Sequence, residues 1–399
     1  MLNDIKKTIS NLVKKPSEEG MKDLVEFATI SDFDDECIVY LTKSLAKSGE
    51  ILKQKDGKEV YDIPSTGGPA SLSTLLCPLF LRGFGKTVLK IGVPGRPAGG
   101  VDVLAQIHGY NIFPNVDQVN TWINSMGYIH IHANKNFVPL DARFFEFRKN
   151  NHAIAIPALV IASLLSKKLA AGISHVGLDV RVSKFGNFGK TYEDARTNSV
   201  RFNNVAKLLG IKSKCFITDG EFPQQPYLGR GESILALSRI FHESAESPLL
   251  KHLQLCKSMV LSLCEIEDAE MSINSLKDIF QNNIKTQGGS VESFMNISNS
   301  VEKNHIYTIE ASDDGFLKID LDVVRDAIVN VQQKIKGIFP DPCGIIFKTQ
   351  PNKFVNKRDT ICTFRCIDSF KEEFESFLKG SFKYSTELTC SHSIEIISL

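Results

Sequence analysis

Three times in the first 220 residues, a short β-type run enters a loop carrying glycine and then a helix-type run. EVYDIP (59–64) leads through Ser65-Thr66-Gly67-Gly68 into ASLSTLLCPLFLRGFG (70–85). TVLKIGV (87–93) leads through GVPGRPAGG into a helical pattern over 101–108. HVGLDVRV (175–182) leads through SKFGNFGKT into the amphipathic YEDARTNSVRFNNVAKLLG (192–210). YIHIHA (128–133) and SKCFITDG (213–220) add two further strands. Strands alternating with helices and joined by glycine loops predict an α/β fold. From about residue 305 the pattern changes to short strands around one helix, LDVVRDAIVNVQQKI, which predicts a smaller α+β segment. Upstream, residues 21–56 read as helices broken at SDFDDE, where Asp34 or Asp35 is placed to cap the second.

Composition sets outer limits. The chain has 399 residues and 26 Phe, enough to bury a sizeable core and to exclude a disordered chain. Its 47 basic residues are balanced by 46 acidic ones, for a net charge of +1, so nucleic acid is not expected as a partner. The most apolar stretch, Ala153–Leu165, contains Pro157 and is too short to span a bilayer, so no membrane is expected either. The N-terminal residues lack the apolar run of a secretory signal. Nine scattered cysteines without a CxxC pair read as free thiols of a reducing cytoplasm.

Three constellations could carry chemistry. In DIPSTGG, glycines would let a ligand approach the backbone, and Ser65, Thr66 and Thr74 supply hydroxyls. An ordinary strand-to-helix turn explains the same letters. GVPGRPAGG could cradle an anion with Arg96, or simply turn a sheet corner. Arg148, Ser163 and Lys167 form the third. Ser163 and Lys167, spaced i, i+4, share one face of a very apolar helix and could hold a planar polar ligand. The competing reading is a solvated last turn, with Lys167 and Lys168 set against the helix dipole. His130 and His132 face one side of a strand. Half a metal site is conceivable, but no carboxylate or Cys stands at a supporting spacing, so no metal is expected.

Taken together, STGG, GRPAGG, ARFFEFR followed by IASLLSKKLAAG, HVGLDVRVSKFGNFGKTYEDA and ITDGEFPQQPYLGRGES resemble, in order, the motifs of the thymidine and pyrimidine-nucleoside phosphorylase family. The resemblance runs from about residue 34 and continues through DDGFLKIDLDVVRDAIV and GIIFKTQPNKFVNKRDTICTF. It implies a nucleoside phosphorylase class II-like α/β fold. A small helical domain would comprise 1–56 and 140–171, a central α/β domain 57–139 and 172–304, and 305–399 a C-terminal α+β segment of the large domain. It further implies a homodimer that takes a pyrimidine nucleoside, with phosphate as co-substrate and no other cofactor. The products would be free base and ribose or deoxyribose 1-phosphate. The family's base-contacting residues fall on Phe145, Arg148, Ser163 and Lys167, with Arg148 and Lys167 in the catalytic role. Its phosphate site falls on Ser65, Thr66 and Thr74, with Arg96 in the neighbouring loop.

The departures lie on the phosphate side. The Lys-His of the family's KHSTGG is Ile63-Pro64 here, and Pro94 and Val101 stand where the family has hydroxyls. Arg96 or Lys90 is the candidate replacement cation. Two other outcomes follow from the same departures: a hydrolase or transferase using another acceptor, and an inactive pyrimidine-binding module.

Overall fold

The computed structural model describes the chain except residues 1, 31–32, 53–56, 69, 93–96, 134–136, 185, 389–394 and 399. It opens with helices α1 (Leu2–Lys14), α2 (Glu18–Ile30) and α3 (Asp35–Ala46). Asp34 caps α3, its carboxylate accepting the Cys37 N–H at 2.7 Å. The alternating part follows: β1 (Val60–Asp62), α4 (Ser73–Gly83), β2 (Thr87–Gly92), α5 (Gly100–Leu104), α6 (Val116–Ser125), β3 (Tyr128–His132), α7 (Pro139–Asn150), α8 (Pro157–Ala170), β4 (His175–Val182), α9 (Tyr192–Leu208) and β5 (Lys212–Asp219). α5 is shorter than the 101–108 expected, because the chain tightens into i→i+3 turns at Gln106 and Ile107. Pro157 does not break the apolar helix; it starts it.

Strands β1–β5 form a parallel sheet in the order β5-β4-β1-β2-β3. The last strand, β13 (Glu395–Ser398), adds antiparallel to β5 at one edge, so the C-terminus returns to the main sheet.

The sheet is buried on both faces, as parallel sheets are. Residues alternate along each strand. Val60, Leu89, Ile91, Ile129, Ile131 and Leu178 pack towards α3, α8 and α9. Tyr61, Ile63, Val88, Tyr128 and Phe216 pack on the other side, towards α4 and a helical group. That group comprises α10 (Arg230–Phe241), α11 (Ser247–Cys264), α12 (Ile273–Thr286) and α13 (Val291–Asn304). Helices α1–α3, α7 and α8 pack on one another at the first face.

The C-terminal region holds two antiparallel sheets. One joins β6 (Tyr227–Leu228), β7 (Tyr307–Glu310), β9 (Cys343–Phe347) and β11 (Thr360–Cys366). The other joins β8 (Gly315–Ile319), β10 (Phe354–Val355) and β12 (Phe382–Ser385). With α14 (Leu321–Lys334) and α15 (Lys371–Gly380) they enclose a separate core around Leu317, Val324, Ile328 and Phe374. The result is the mixed α/β architecture the sequence predicts. Among the described residues no helix is long and apolar enough to cross a membrane, and the eight described cysteines are free. Cys390 lies outside the described residues.

Candidate functional site

In open parallel sheets ligands bind beyond the carboxyl ends of the strands, where loops and helix starts converge. The described sequence-predicted residues fall in two groups, one on α7 and α8 and one where β1 runs out into its loop.

The first group is carried by α7 and α8. Arg148 sits in the last turn of α7 and is only 1% exposed. Its Nε and Nη1 have no hydrogen-bond partner among the described residues. The guanidinium carbon lies 5.2 Å from the Phe144 ring centre and 5.7 Å from that of Phe145. Ring quadrupoles offset part of the cost of burying the cation. Burial pushes its pKa down, and Asp141, two turns earlier on the same helix, partly restores it.

On α8, the Lys167 ammonium donates to the Ser163 hydroxyl at 3.0 Å and to the Ser163 carbonyl at 2.8 Å, and pairs with Asp141. Asp141 thus pairs with Lys167 and acts on Arg148 through its charge, and its second oxygen has no partner among the described residues. The solvated-turn reading fails, since Lys167 and Lys168 are both buried.

The second group lies at the ends of β1–β4. Lys168 and Lys90 both pair with Asp62, Lys90 at 2.8 Å, and Lys90 also donates to the Ile63 carbonyl at 2.5 Å. Two ammoniums share one carboxylate, which leaves one net positive charge. Burial alone would raise the Asp62 pKa; Lys168 and Lys90 outweigh it and hold the group below the usual carboxylate range. Lys90 is therefore a cation near the strand ends, but one already engaged. Ile63 is fully buried and meets Phe216 and Leu263 over Gly177.

Ser65 continues β1 and bridges to Asp179, its hydroxyl accepting the Gly67 N–H at 3.2 Å. The Thr66 hydroxyl accepts the Arg181 N–H at 3.0 Å. Behind them, the Asp179 carboxylate takes hydrogen bonds from Arg181, Ser73 and Thr218. Gly68 takes a φ of +110° there, a backbone conformation that residues with a Cβ rarely adopt. Thr74 is one residue beyond Ser73, beside Gly100 and His130. Arg96 lies outside the described residues.

The structure thus sets Phe145 against the Arg148 guanidinium and joins Ser163 with Lys167; Asp141 pairs with Lys167 and acts on Arg148 through space. It also adds residues that sequence reasoning passed over: Asp62, Ser73, Asp141, Asp179 and Arg181. Asp141 had a readable signal, since a spacing of seven puts it on the Arg148 face of the helix. Asp62 had none, because its partners come from 28 and 106 residues away. His130 and His132 do share β3, yet no group of three or more His, Cys, Asp or Glu among the described residues could hold a metal ion.

No family model matches the chain. A thymidine phosphorylase of Agrobacterium fabrum is 32% identical over 189 residues, covering 47% of this chain and 43% of that protein. One from Sinorhizobium fredii is 31% identical over 211 residues, covering 51% and 48%. The chain is similar to the thymidine phosphorylases. It spans somewhat under half the length of the curated relatives it matches. Among solved structures, anthranilate phosphoribosyltransferase from Thermus thermophilus superposes with a TM-score of 0.53 at 13% identity, over 75% of this chain and 94% of that one. That likeness concerns the fold alone.

Proposed function

We propose that the chain is a pentosyltransferase that cleaves the N-glycosidic bond of a thymidine- or uridine-type nucleoside with phosphate. One observation carries the proposal: Arg148, buried between two phenylalanines, has two guanidinium nitrogens without an acceptor. A buried cation with open donors is costly unless a ligand supplies acceptors. The carbonyl oxygens of a pyrimidine do so, and the Phe145 ring offers an apolar wall for its face.

In the reaction a phosphate oxygen attacks C1′ while the C1′–N1 bond breaks. The bonding electrons move onto the base, which then takes up a proton and leaves as free pyrimidine. The sugar leaves as its 1-phosphate. Arg148 and Lys167 oppose the charge that develops on the base, in a site from which water is largely excluded. Asp141 keeps Lys167 oriented towards Ser163. Similarity to proteins named thymidine phosphorylase supports this assignment.

A second reading rests on Ile63 and Val101, both fully buried and apolar: the acceptor is water, and the product is free sugar. One assay separates the two. Thymidine and uridine are each incubated with and without phosphate, and products are identified by mass spectrometry. Sugar 1-phosphate formed only with phosphate is expected. Equal base release in phosphate-free buffer, with free sugar, refutes phosphorolysis. The homodimer belongs to the same proposal; sedimentation should give twice the 44.3 kDa chain mass.

A further inference from the structure

Two of the eight described cysteines stand directly opposite each other across antiparallel strands: Cys343 opens β9 and Cys366 closes β11. The hydrogen bonds of the ladder define the kind of pair they make. The Lys348 N–H donates to the Ile361 carbonyl at 2.8 Å, and the Ile367 N–H to the Pro342 carbonyl at 3.0 Å. Hydrogen-bonded pairs alternate with non-hydrogen-bonded ones along an antiparallel ladder. With Ile367 and Pro342 at a bonded position, Cys366 and Cys343 fall at an unbonded one. Such a pair brings its Cα atoms to about 4.5 Å, with the side chains close together. That separation lies within the range a disulfide spans without backbone movement.

The packing agrees with the register. Both cysteines belong to the core enclosed by α14 and α15. Cys343 is fully buried, its Sγ 3.9 Å from the Ile328 carbonyl on α14, whereas Cys366 is only partly buried. Solvent therefore reaches one sulfur of the pair and not the other. Among the ionisable groups around Cys343, Cys366 acts most strongly on its thiol, as close neighbours do. Burial pushes the Cys366 thiol up to about 11, with Arg365 opposing, so its chemistry is slow. Cys77 and Cys256 make the contrast. The Cys77 Sγ lies 3.9 Å from the Cys256 carbonyl, but both residues are fully buried, and neither offers a sulfur to solvent.

We propose that Cys366 and Cys343 form an oxidation site, which a low-molecular-weight disulfide such as glutathione disulfide closes into a cross-strand disulfide. The Cys366 thiolate attacks one sulfur of the small disulfide, whose S–S bond breaks; a mixed disulfide forms and one small thiolate leaves. The Cys343 thiolate then attacks the Cys366 sulfur and displaces the second small thiolate. Two protein thiols are oxidised, one small disulfide is reduced to two thiols, and the protons lost by the cysteines end on those thiols. The new bond fastens β9 to β11 beside Arg365, which pairs with Glu232 on α10 at 2.6 Å. The site is independent of the nucleoside chemistry.

The test uses the 399-residue chain as wild type, Cys343→Ser and Cys366→Ser. Each is incubated without denaturant with glutathione disulfide at about pH 8.5 and followed over hours. Samples are quenched in acid, unfolded, alkylated and mapped by peptide mass spectrometry. Wild type should yield the Cys343 and Cys366 peptides joined, two hydrogens lighter than their sum, and dithiothreitol should separate them. Cys343→Ser should stop at the mixed disulfide of Cys366 with glutathione. Cys366→Ser should leave Cys343 alkylated, with oxidation at that residue at least about tenfold below wild type. Cys77 and Cys256 should stay reduced throughout. Wild type that stops at the Cys366 mixed disulfide, or leaves both cysteines alkylated, overturns the proposal. So does oxidation of Cys77 and Cys256 at the same rate, since the reaction would then follow unfolding and not strand register. If a serine variant does not fold, the wild-type map decides alone.

Discussion

Arg148 separates function from stability at a single residue. Removing one partner of a buried ion pair is costly, whereas removing a buried cation that lacks hydrogen-bonded acceptors is not. Arg148→Met should therefore lower kcat/KM for nucleoside by about a hundredfold or more while the melting temperature holds or rises. A Tm fall of several degrees would show that Arg148 is structural instead. Asp62 is the opposite case. Asp62→Asn leaves Lys90 and Lys168 without a counter-charge and should cost about 3–5 kcal/mol in urea unfolding. Lys90→Met should cost less, because Lys168 still pairs with the carboxylate. Equal losses in the two variants would contradict the shared-carboxylate arrangement. That Ser163 and Lys167 share a helix face was legible from their spacing, whereas Arg148, on another helix, was tied to them by the family likeness. Asp62 and Asp179 were not legible, since each gains its role from partners on other strands and helices.

Among the elements, α8 has the most consequential geometry. Its consecutive lysines diverge, Lys167 to Asp141 on α7 and Lys168 to Asp62 at the end of β1. One helix thus connects the Asp141 group to the Asp62 group, which a solvated last turn could not do. Gly100, at the start of α5, is placed as tightly. Gly100→Ala places a methyl against the His130 ring and should destabilise by about 1–3 kcal/mol. Adding His130→Ala should relieve most of that, and additive losses in the double variant would argue against the contact. At α3, Asp34→Ala removes the cap and should cost about 1 kcal/mol. Strand and helix order could be read from glycine loops and periodicity. The short α5 could not, because i→i+3 turns end it without a proline or a charge run to mark the place.

Across the whole molecule, acid sensitivity follows from what the core buries. Burial brings His130 and His252 down to a pKa of about 3, against about 6.5 in an unfolded chain. As pH falls, the unfolded state takes up these protons first. The stabilisation is complete above about pH 6.5 and is lost progressively towards pH 3, at about 1.4 kcal/mol per pH unit for each histidine. Asp62 and Asp179 add to this: burial raises both, but their cations outweigh it and keep them depressed, so their contribution fades below about pH 4. Urea midpoints should therefore hold between pH 7.5 and about 6.5 and drop from there to pH 5, and His130→Gln should flatten that fall. A slope unchanged by that variant would mean that other groups set it. The sequence by itself determined the α/β class, the order of elements and the helix bearing Ser163 and Lys167, because periodicity and glycine loops act over a few residues. Tertiary structure alone decided which charges meet. Asp62, Lys90, Lys168 and His130 come together only after four distant segments have packed; the two lysines then hold Asp62 ionised and burial keeps the His130 ring neutral, which no local pattern encodes.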